Sequence, residues 1–540
     1  MPYLNHIIKA SSAWPHLRHL AQWMEVTTSP NKWQLIKSCD DLHQIRAERA
    51  RRTKVAAIDF APSQPNPVTE LIEDPEKLQS DLDRPLSPGA TRLYIVEDLS
   101  RDVIECLGYK LNIDPLFFRE HINDYLWYNT RDPWVELPDL DMVSRNRPYF
   151  RLIYTQPRYF KDKQSVETAN RQAGRFNVLR RLDLDTEHRS LFDEDSAIVA
   201  LVRSKASLWI APDDSPRKGT GVLLIDPSIT QGYPLWRGYR PFRNSPCPFP
   251  EHEGEYDRAP GTSLFDDLLF WIQKTEAGDI DAIRESPRAM AFRMLQIICA
   301  EWLTLTRYIT ARLSQIEWEI EKPDFRRAST NFNTSLEKLH TWRRRLPLYR
   351  AMVADAREKL FPDAAAGAAG AARGPRDSVE QLRRDYAIVA RHIEELLSRA
   401  ERIAAVATAV TAIEESRRAI EQNKALGRLT YLAVIFAPLS FVSSFFSMTD
   451  NVASQAQTYW VYFCIAIPIS ILAFLLVDQN WTNNIQRVRG SSAKQDGKPA
   501  PPPRPRVQHR ASDFLRWDQA TPTAPVATTY ARAPNIENGR

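Results

Sequence analysis

The chain has 540 residues, of which 26% are charged and 10% aromatic, and its mean hydropathy is -0.42. That is length for two or three domains and the composition of a mostly water-soluble chain, which excludes a transporter built of many spanning helices. A formal net charge of +5 against 72 basic and 67 acidic residues excludes a long electropositive surface, so nucleic acid is not an expected partner. Five cysteines (Cys39, Cys106, Cys247, Cys299, Cys464) follow no CxxC or repeating spacing, which argues against a disulfide framework and a zinc knuckle. The first twenty residues hold no apolar core of the kind a signal peptide needs.

Residues 1–91 mix aromatic, basic and Pro-rich stretches without sustained periodicity and are read as a variable leader. From Arg92 the pattern sharpens: RLYIVEDL reads as a strand, RDVIECLGYKLNI and PLFFREHI as two short helices. Strand-like runs follow at YFRLIYT, RFNVLRRLDL, SAIVALVR, ASLWIAP and GVLLIDP, so 92–286 is expected to be a mixed α/β domain. Beyond Ser286 the strand signals stop, and helical periodicity at 290–321 and 333–360 opens a stalk over 287–428. The Gly/Ala-rich DAAAGAAGAARGPRD (363–377) reads as a connection between helices.

Val379, Leu382, Tyr386, Val389, Ile393, Leu396, Ala400, Ile403, Ala407 and Val410 then alternate spacings of three and four, a heptad seam of coiled-coil type. No proline interrupts 377–437, so one helix is expected to run from the stalk into the apolar segment beyond it; residues 377–448 as one helix would span roughly 108 Å. Two charge-free apolar runs come next, 429–448 and 459–477, each about the 20 residues that cross a hydrocarbon core. Arg417, Arg418, Lys424 and Arg428 precede the first, and Arg487, Arg489, Lys494 and Lys498 follow the second, while the linker 449–458 holds no Lys or Arg. Basic flanks stay cytosolic, so both termini are expected inside, with 449–458 as a short outer loop. Asn480 opens a glycosylation sequon that this topology would keep inside and unmodified. The tail 478–540 is basic and, at KPAPPPRPR, Pro-rich, and is expected to be disordered.

Within the first run Thr430, Ala433, Ala437, Ser440, Ser444 and Ser447 share one helix face. Small residues permit close helix packing in lipid. A row of hydroxyls could equally line a pore and meet the water shell of an ion.

The run from Ile435 to Val442 (IFAPLSFV), then Phe446-Ser447-Met448-Thr449, resembles the first transmembrane helix of CorA-type magnesium channels, which ends in a Gly-Met-Asn signature. Asn423-Lys424-Ala425-Leu426-Gly427-Arg428-Leu429 is similar to the inner-pore stretch of that family, and REHINDYLWYNTRDPW (119–134) resembles its divergent fungal branch. The resemblance is specific over about 377–477 and extends from Arg92. It implies an α+β membrane protein: a cytosolic α/β domain, a long helical stalk continuing into the first of two carboxyl-terminal transmembrane helices, and a homo-oligomer, a pentamer in that family, in a lipid bilayer. It further implies passage of divalent cations, Mg²⁺ first with Zn²⁺, Co²⁺ or Ni²⁺ as alternatives, driven by membrane potential and needing no cofactor. The pore and filter would be formed by Asn423, Leu426, Leu429, Ala437, Ser440, Ser444, Ser447, Met448, Thr449 and Asp450.

The chain departs from the family at the filter, where Ser447-Met448-Thr449 stands for Gly-Met-Asn. Thr449 offers a hydroxyl but no amide carbonyl to a hydrated ion, which leaves the transported ion open. Zinc transport of the ZntB-like kind and a non-conducting scaffold that keeps the fold are the rival readings. Asp450, the sole charge of 449–458, would form a ring of carboxylates in an oligomer. Elsewhere, Asp183, Asp185, Glu187 and His188, and Glu251, His252, Glu253, Glu255 and Asp257, are read as solvated loops rather than metal ligands, so no cytosolic metal-sensing site is assigned. His121 is read as a structural histidine. There is no GxGxxG after a strand, no GxxxxGK[ST], no HExxH and no GxSxG, so an enzyme is not expected.

Overall fold

A computed structural model describes residues 1–26, 39–62, 64, 66–122, 139–178, 180–186, 196–243, 245, 259–321, 332–360, 378–447 and 460–472. It divides into two compact units, Met1–Ile413 and Glu414–Arg540.

The first unit is built on an eight-stranded sheet of order β2-β1-β3-β7-β6-β4-β8, with β5 also paired to β6. The strands are β1 (Lys54–Phe60), β2 (Val68–Ile72), β3 (Thr91–Glu97), β4 (Tyr149–Phe160), β5 (Arg181–Asp185), β6 (Ile198–Ile210), β7 (Thr220–Ile225) and β8 (Tyr233–Pro234). All pairs are antiparallel except β3 with β7. Side chains alternate between faces: Ala56, Ile58, Leu93, Ile95, Leu223 and Ile225 enter one apolar cluster, while Val55, Ala57, Tyr94, Val96, Val222 and Leu224 enter another. A sheet covered on both faces needs strands that are apolar throughout. That is why RLYIVEDL and GVLLIDP read as continuous apolar runs.

One face carries α1 (Pro2–Ala10), α2 (Leu17–Val26), α4 (Pro75–Asp83), α5 (Arg101–Leu111) and α6 (Pro115–Ile122). The other carries α9 (Leu264–Gln273), α10 (Ala277–Glu285), α11 (Phe292–Glu321), α12 (Phe332–Leu360) and the start of α13 (Ser378–Phe446). Helix α8 (Lys163–Ala173) starts with Asp162 and Ser165 in a reciprocal capping box and packs on Phe160, Ile198 and Ile229. Helices α3 (Cys39–Ala50) and α7 (Asp141–Ser144) complete this unit.

Three expectations change. Residues 1–91 are not a leader, because α1 to α4 and the two strands at one end of the sheet come from them. Nor does the 287–428 stalk stand apart as far as Ala407, since α11, α12 and Leu382, Tyr386, Val389, Ile393, Leu396, Ala400, Ile403 and Ala407 of α13 share one apolar cluster with the sheet. The heptad seam is therefore buried inside the protomer. Finally, SAIVALVR and ASLWIAP are one strand, β6, whose first half pairs with β5 and whose second half pairs with β7 along the same edge. The polar Ser204 and Lys205 fall where the partner changes: Arg180 donates to Ser204 Oγ at 2.6 Å and the Lys205 amide donates to Asp226 Oδ2 at 2.8 Å.

Candidate functional site

The second unit contains the charge-free stretch of α13. From Leu429 to the end of that helix no side chain is ionisable except Tyr431, and among the described residues one helix, within Gln381–Ser444, is long and apolar enough to cross a membrane. In its apolar window only 6% of residues are buried. Leu426, Leu429, Leu432, Ile435, Phe436 and Phe441 are all exposed. A monomeric soluble protein rarely leaves so much contiguous apolar surface open, whereas a lipid-facing helix requires it.

The second apolar run supplies a shorter helix, α14 (Trp460–Leu472). Its Tyr462 hydroxyl donates to the Leu439 carbonyl of α13 at 3.4 Å. On α14 the less exposed residues are Tyr462, Ala466 and Ser470, spaced by four; on α13 they are Gly427, Tyr431, Val434, Pro438 and Val442, spaced by three and four, with Leu439 beside them. Each set is one helical face. At 3.6 residues per turn, the small-residue face of α13 lies about two-fifths of a turn away from its own covered face. Thr430, Ala433, Ala437, Ser440, Ser444 and Ser447 on that face are all exposed, as are Asn423, Leu426 and Leu429, which continue it toward the amino end. Ser440, Ser443, Ser444 and Ser447, with Leu439 and Tyr462, line one open groove. The Thr430 hydroxyl is turned back on its own helix, donating to the Leu426 carbonyl at 3.0 Å. Met448, Thr449 and Asp450, and with them the outer loop 449–458, lie outside the described residues.

Elsewhere the structure turns other candidates into architecture. Asp183 and Asp185 are not solvated loop residues. Both are buried on β5, where Arg203 Nε donates to Asp183 at 2.8 Å, and Tyr308 Oη and Arg312 Nε donate to Asp185 at 2.7 and 2.8 Å. A carboxylate alternating along a strand and meeting arginines of β6 and α11 ties the sheet to the helical layer. Its signal in the sequence was the RLDLD alternation rather than the acidic count. Glu187, His188 and 251–257 lie outside the described residues, and among the described residues no group of three metal-binding side chains occurs.

His121 lies between Ser207 and Asp226, with Nδ1 3.0 Å from Ser207 Oγ and Nε2 3.7 Å from Asp226 Oδ1. The three residues resemble a hydrolytic triad in type, but they are 0%, 1% and 5% exposed, so no substrate reaches them. Burial, reinforced by Lys205, Arg151 and Arg180, holds His121 well below the usual imidazole range, so it is neutral. Its carbonyl accepts from Lys205 Nζ at 2.6 Å, completing a structural brace between α6 and β6.

Residues 272–478, which take in α10 to α14, match the family model for CorA-like Mg²⁺ transporter protein. Among solved structures, the complete CorA magnesium transporter from Methanocaldococcus jannaschii is similar at 12% identity, covering 78% of this chain and 96% of that chain with a TM-score of 0.37. The full-length CmaX protein is similar at 11% identity over 79% of this chain and 98% of that one, with a TM-score of 0.38. Likenesses of that size carry no weight for function. No curated protein matches the chain. By the match to the family model, residues 272–478 form a CorA-like segment of the chain.

Proposed function

We propose that this protein transports divalent cations, Mg²⁺ foremost, across a bilayer through a path lined by the small-residue face of α13 in a homo-oligomer, a pentamer. The observation that carries this is the end of α13: a charge-free, exposed apolar helix whose exposed hydroxyl-bearing residues line an open groove, inside the segment that matches the family. Residues 429–448 and 459–477 are two spans, with both termini in the cytosol and 449–458 outside, because the basic residues flank the pair. Mg²⁺ holds its first-shell waters tightly, and serine hydroxyls and backbone carbonyls can hydrogen-bond that shell without stripping it. A membrane potential supplies about 2.3 kcal/mol per charge per 100 mV, roughly twice that for a divalent ion, so inward flux needs no nucleotide.

One observation favours a second reading. Ser447-Met448-Thr449 replaces the Gly-Met-Asn of the family this chain resembles, as expected of a scaffold that keeps the fold and conducts nothing. The test is flux into liposomes containing the purified protein under an imposed potential, with Mg²⁺, Zn²⁺, Co²⁺ and Ni²⁺ compared. Flux of Mg²⁺ that Ser444→Leu abolishes supports the path along this face. A preference for Zn²⁺ assigns the ion differently, and no flux of any ion establishes the scaffold. Labelling of single introduced cysteines from one side checks the topology; outside labelling beyond Arg487 refutes it.

A further inference from the structure

A small polar cavity of about 40 Å³ lies in the first unit between β4, α9, α11 and the segment around β8. Glu301 of α11 faces into it beside Gln156 and Arg158 of β4, Tyr239, and Asp267 of α9. Space of this size admits a water molecule. Every neighbour of Glu301 is committed to another task. Arg158 donates to the Gln231 carbonyl at 3.2 Å and the Gly232 carbonyl at 3.1 Å, holding the segment before β8. Asp267 accepts from the Gly261 amide at 2.7 Å and the Tyr239 hydroxyl at 2.9 Å, and Tyr239 Oη in turn accepts from Trp271 Nε1 at 2.9 Å. Gln156, which hydrogen-bonds Glu301, also accepts from Ser204 at 3.2 Å.

We infer that Glu301 is a proton-operated latch: protonated, it lets β8 and α9 stay docked on α11 and β4, and ionised, it draws Arg158 off the Gln231 and Gly232 carbonyls and loosens that corner. The groups that face it from each packed element are Tyr154 and Arg158 of β4, Asp267 of α9, Tyr239 ahead of α9, and, through Arg158 and Tyr154, Arg180. Burial first, then the Asp267 carboxylate, pushes the Glu301 carboxyl up to about 7, against the opposing pull of Arg158 and Gln156. Its charge therefore changes across the ordinary cytosolic range. Ionisation sets a second buried negative charge beside Asp267, and the cation within reach is Arg158, whose own proton affinity burial lowers to about 10. Because α11 also seats α13, through the Tyr386 hydroxyl donating to the Leu295 carbonyl at 3.1 Å, the latch bears on the same helix that holds the buried seam.

The sign is fixed by linkage. The folded carboxyl titrates near 7 and an unfolded or opened one near 4.5, so the closed corner loses stability as pH rises from 4.5 through 7 and no further above it. Between pH 6 and pH 8 the opening equilibrium should shift about tenfold toward the open form. The test is amide hydrogen exchange of the full chain in detergent at both pH values, corrected for the intrinsic pH dependence of exchange and read on peptides within 228–242 and 259–267. The parent should lose about tenfold protection at pH 8, and Glu301→Gln should keep its protection at both. An infrared titration reads the same proton by difference: because the buried Asp98 carboxyl is also raised to about 7, the protonated-carboxyl band that vanishes near pH 7 in the parent should be smaller in Glu301→Gln. Equal pH dependence of exchange in parent and Glu301→Gln, or a carboxyl band near neutrality that Glu301→Gln leaves unchanged, overturns the latch. Neither readout involves ion flux, so they report on the latch whether or not the chain conducts.

Discussion

Replacing Ile393 by Ala should destabilise the first unit by about 2–5 kcal/mol, the range for deleting a buried Ile or Leu side chain to Ala in a core that cannot fully collapse. Ile393 is 1% exposed and sits in the single apolar cluster that runs from the sheet through Trp302, Trp342 and Tyr349 to α13. Transfer of the lost methylenes accounts for roughly 2 kcal/mol at about 0.8 kcal/mol per group, and the cavity left beside fixed neighbours accounts for the rest. Two residues on, Glu395 points to solvent, and Glu395→Ala should change stability by no more than about 0.5 kcal/mol. Thermal unfolding of the full chain in mild detergent, followed by tryptophan fluorescence, reads the difference, since Trp302 and Trp342 lie in the affected cluster. At roughly 2 °C per kcal/mol for a large domain, the Ile393→Ala midpoint should fall by about 4–10 °C. If Ile393→Ala unfolds with Glu395→Ala, the seam is not a protomer core, and the heptad positions serve another surface.

Three further outcomes are expected. Gly108→Ala should cost about 1–3 kcal/mol and speed proteolysis of the first ten residues, because an added Cβ would lie 2.3 Å from the Tyr3 ring that docks α1 on α5; unchanged proteolysis would mean α1 is not seated there. His19 is buried beside Arg119 and its pKa is lowered to about 3, burial being the larger cause. An unfolded histidine takes up a proton below about 6.5 while the folded one does not, so stability is lost as pH falls from 6.5 toward 3, and His19→Leu should flatten that loss by about 1.4 kcal/mol per pH unit; parallel stability curves refute it. In liposomes, Asp450→Asn should reduce divalent flux at low ionic strength much more than at high, because a carboxylate ring acts through a screened field. Equal flux at low salt removes the ring.

How far each segment could be read along the chain depended on how it is buried. Strands β3, β4 and β7, helices α5, α6, α11 and α12, and the α13 seam lie where their runs suggest, because each is long, apolar and bounded by clear turns. The first 91 residues hid two strands: KVAAIDF is buried on both faces and so shows no alternation, while VTELI at the end of the sheet is half exposed. Partner exchange along β6 is invisible to any local pattern, since it is decided by β5 and β7 from either side in sequence. The seam itself was legible as period, but period alone does not say whether its partner is another chain or the same one. Of the candidate path, Asn423 to Ser447 fall on one helix face, because a helix converts spacing into geometry directly; their role as a path is the proposal. The RLDLD alternation marks Asp183 and Asp185 as strand residues, but the arginines that meet them, and the buried role of Glu301, come from distant elements and were not legible.

The burial of the α13 seam against the sheet also sets an order of events during synthesis. The sheet has all its strands once residue 234 has emerged, yet one of its faces lacks part of its cover until Leu382 to Ala407 follow. At about 5–20 residues per second, the roughly 150 residues between take about 8–30 s to appear. The covering helix is continuous with the apolar stretch that begins at Leu429, so the domain can close only as the segment that must avoid water is itself leaving the ribosome. Closure of the domain and emergence of the apolar helix are thereby drawn into the same few seconds, and a nascent chain held up between them would present both an uncovered sheet face and a naked apolar helix to whatever meets it first.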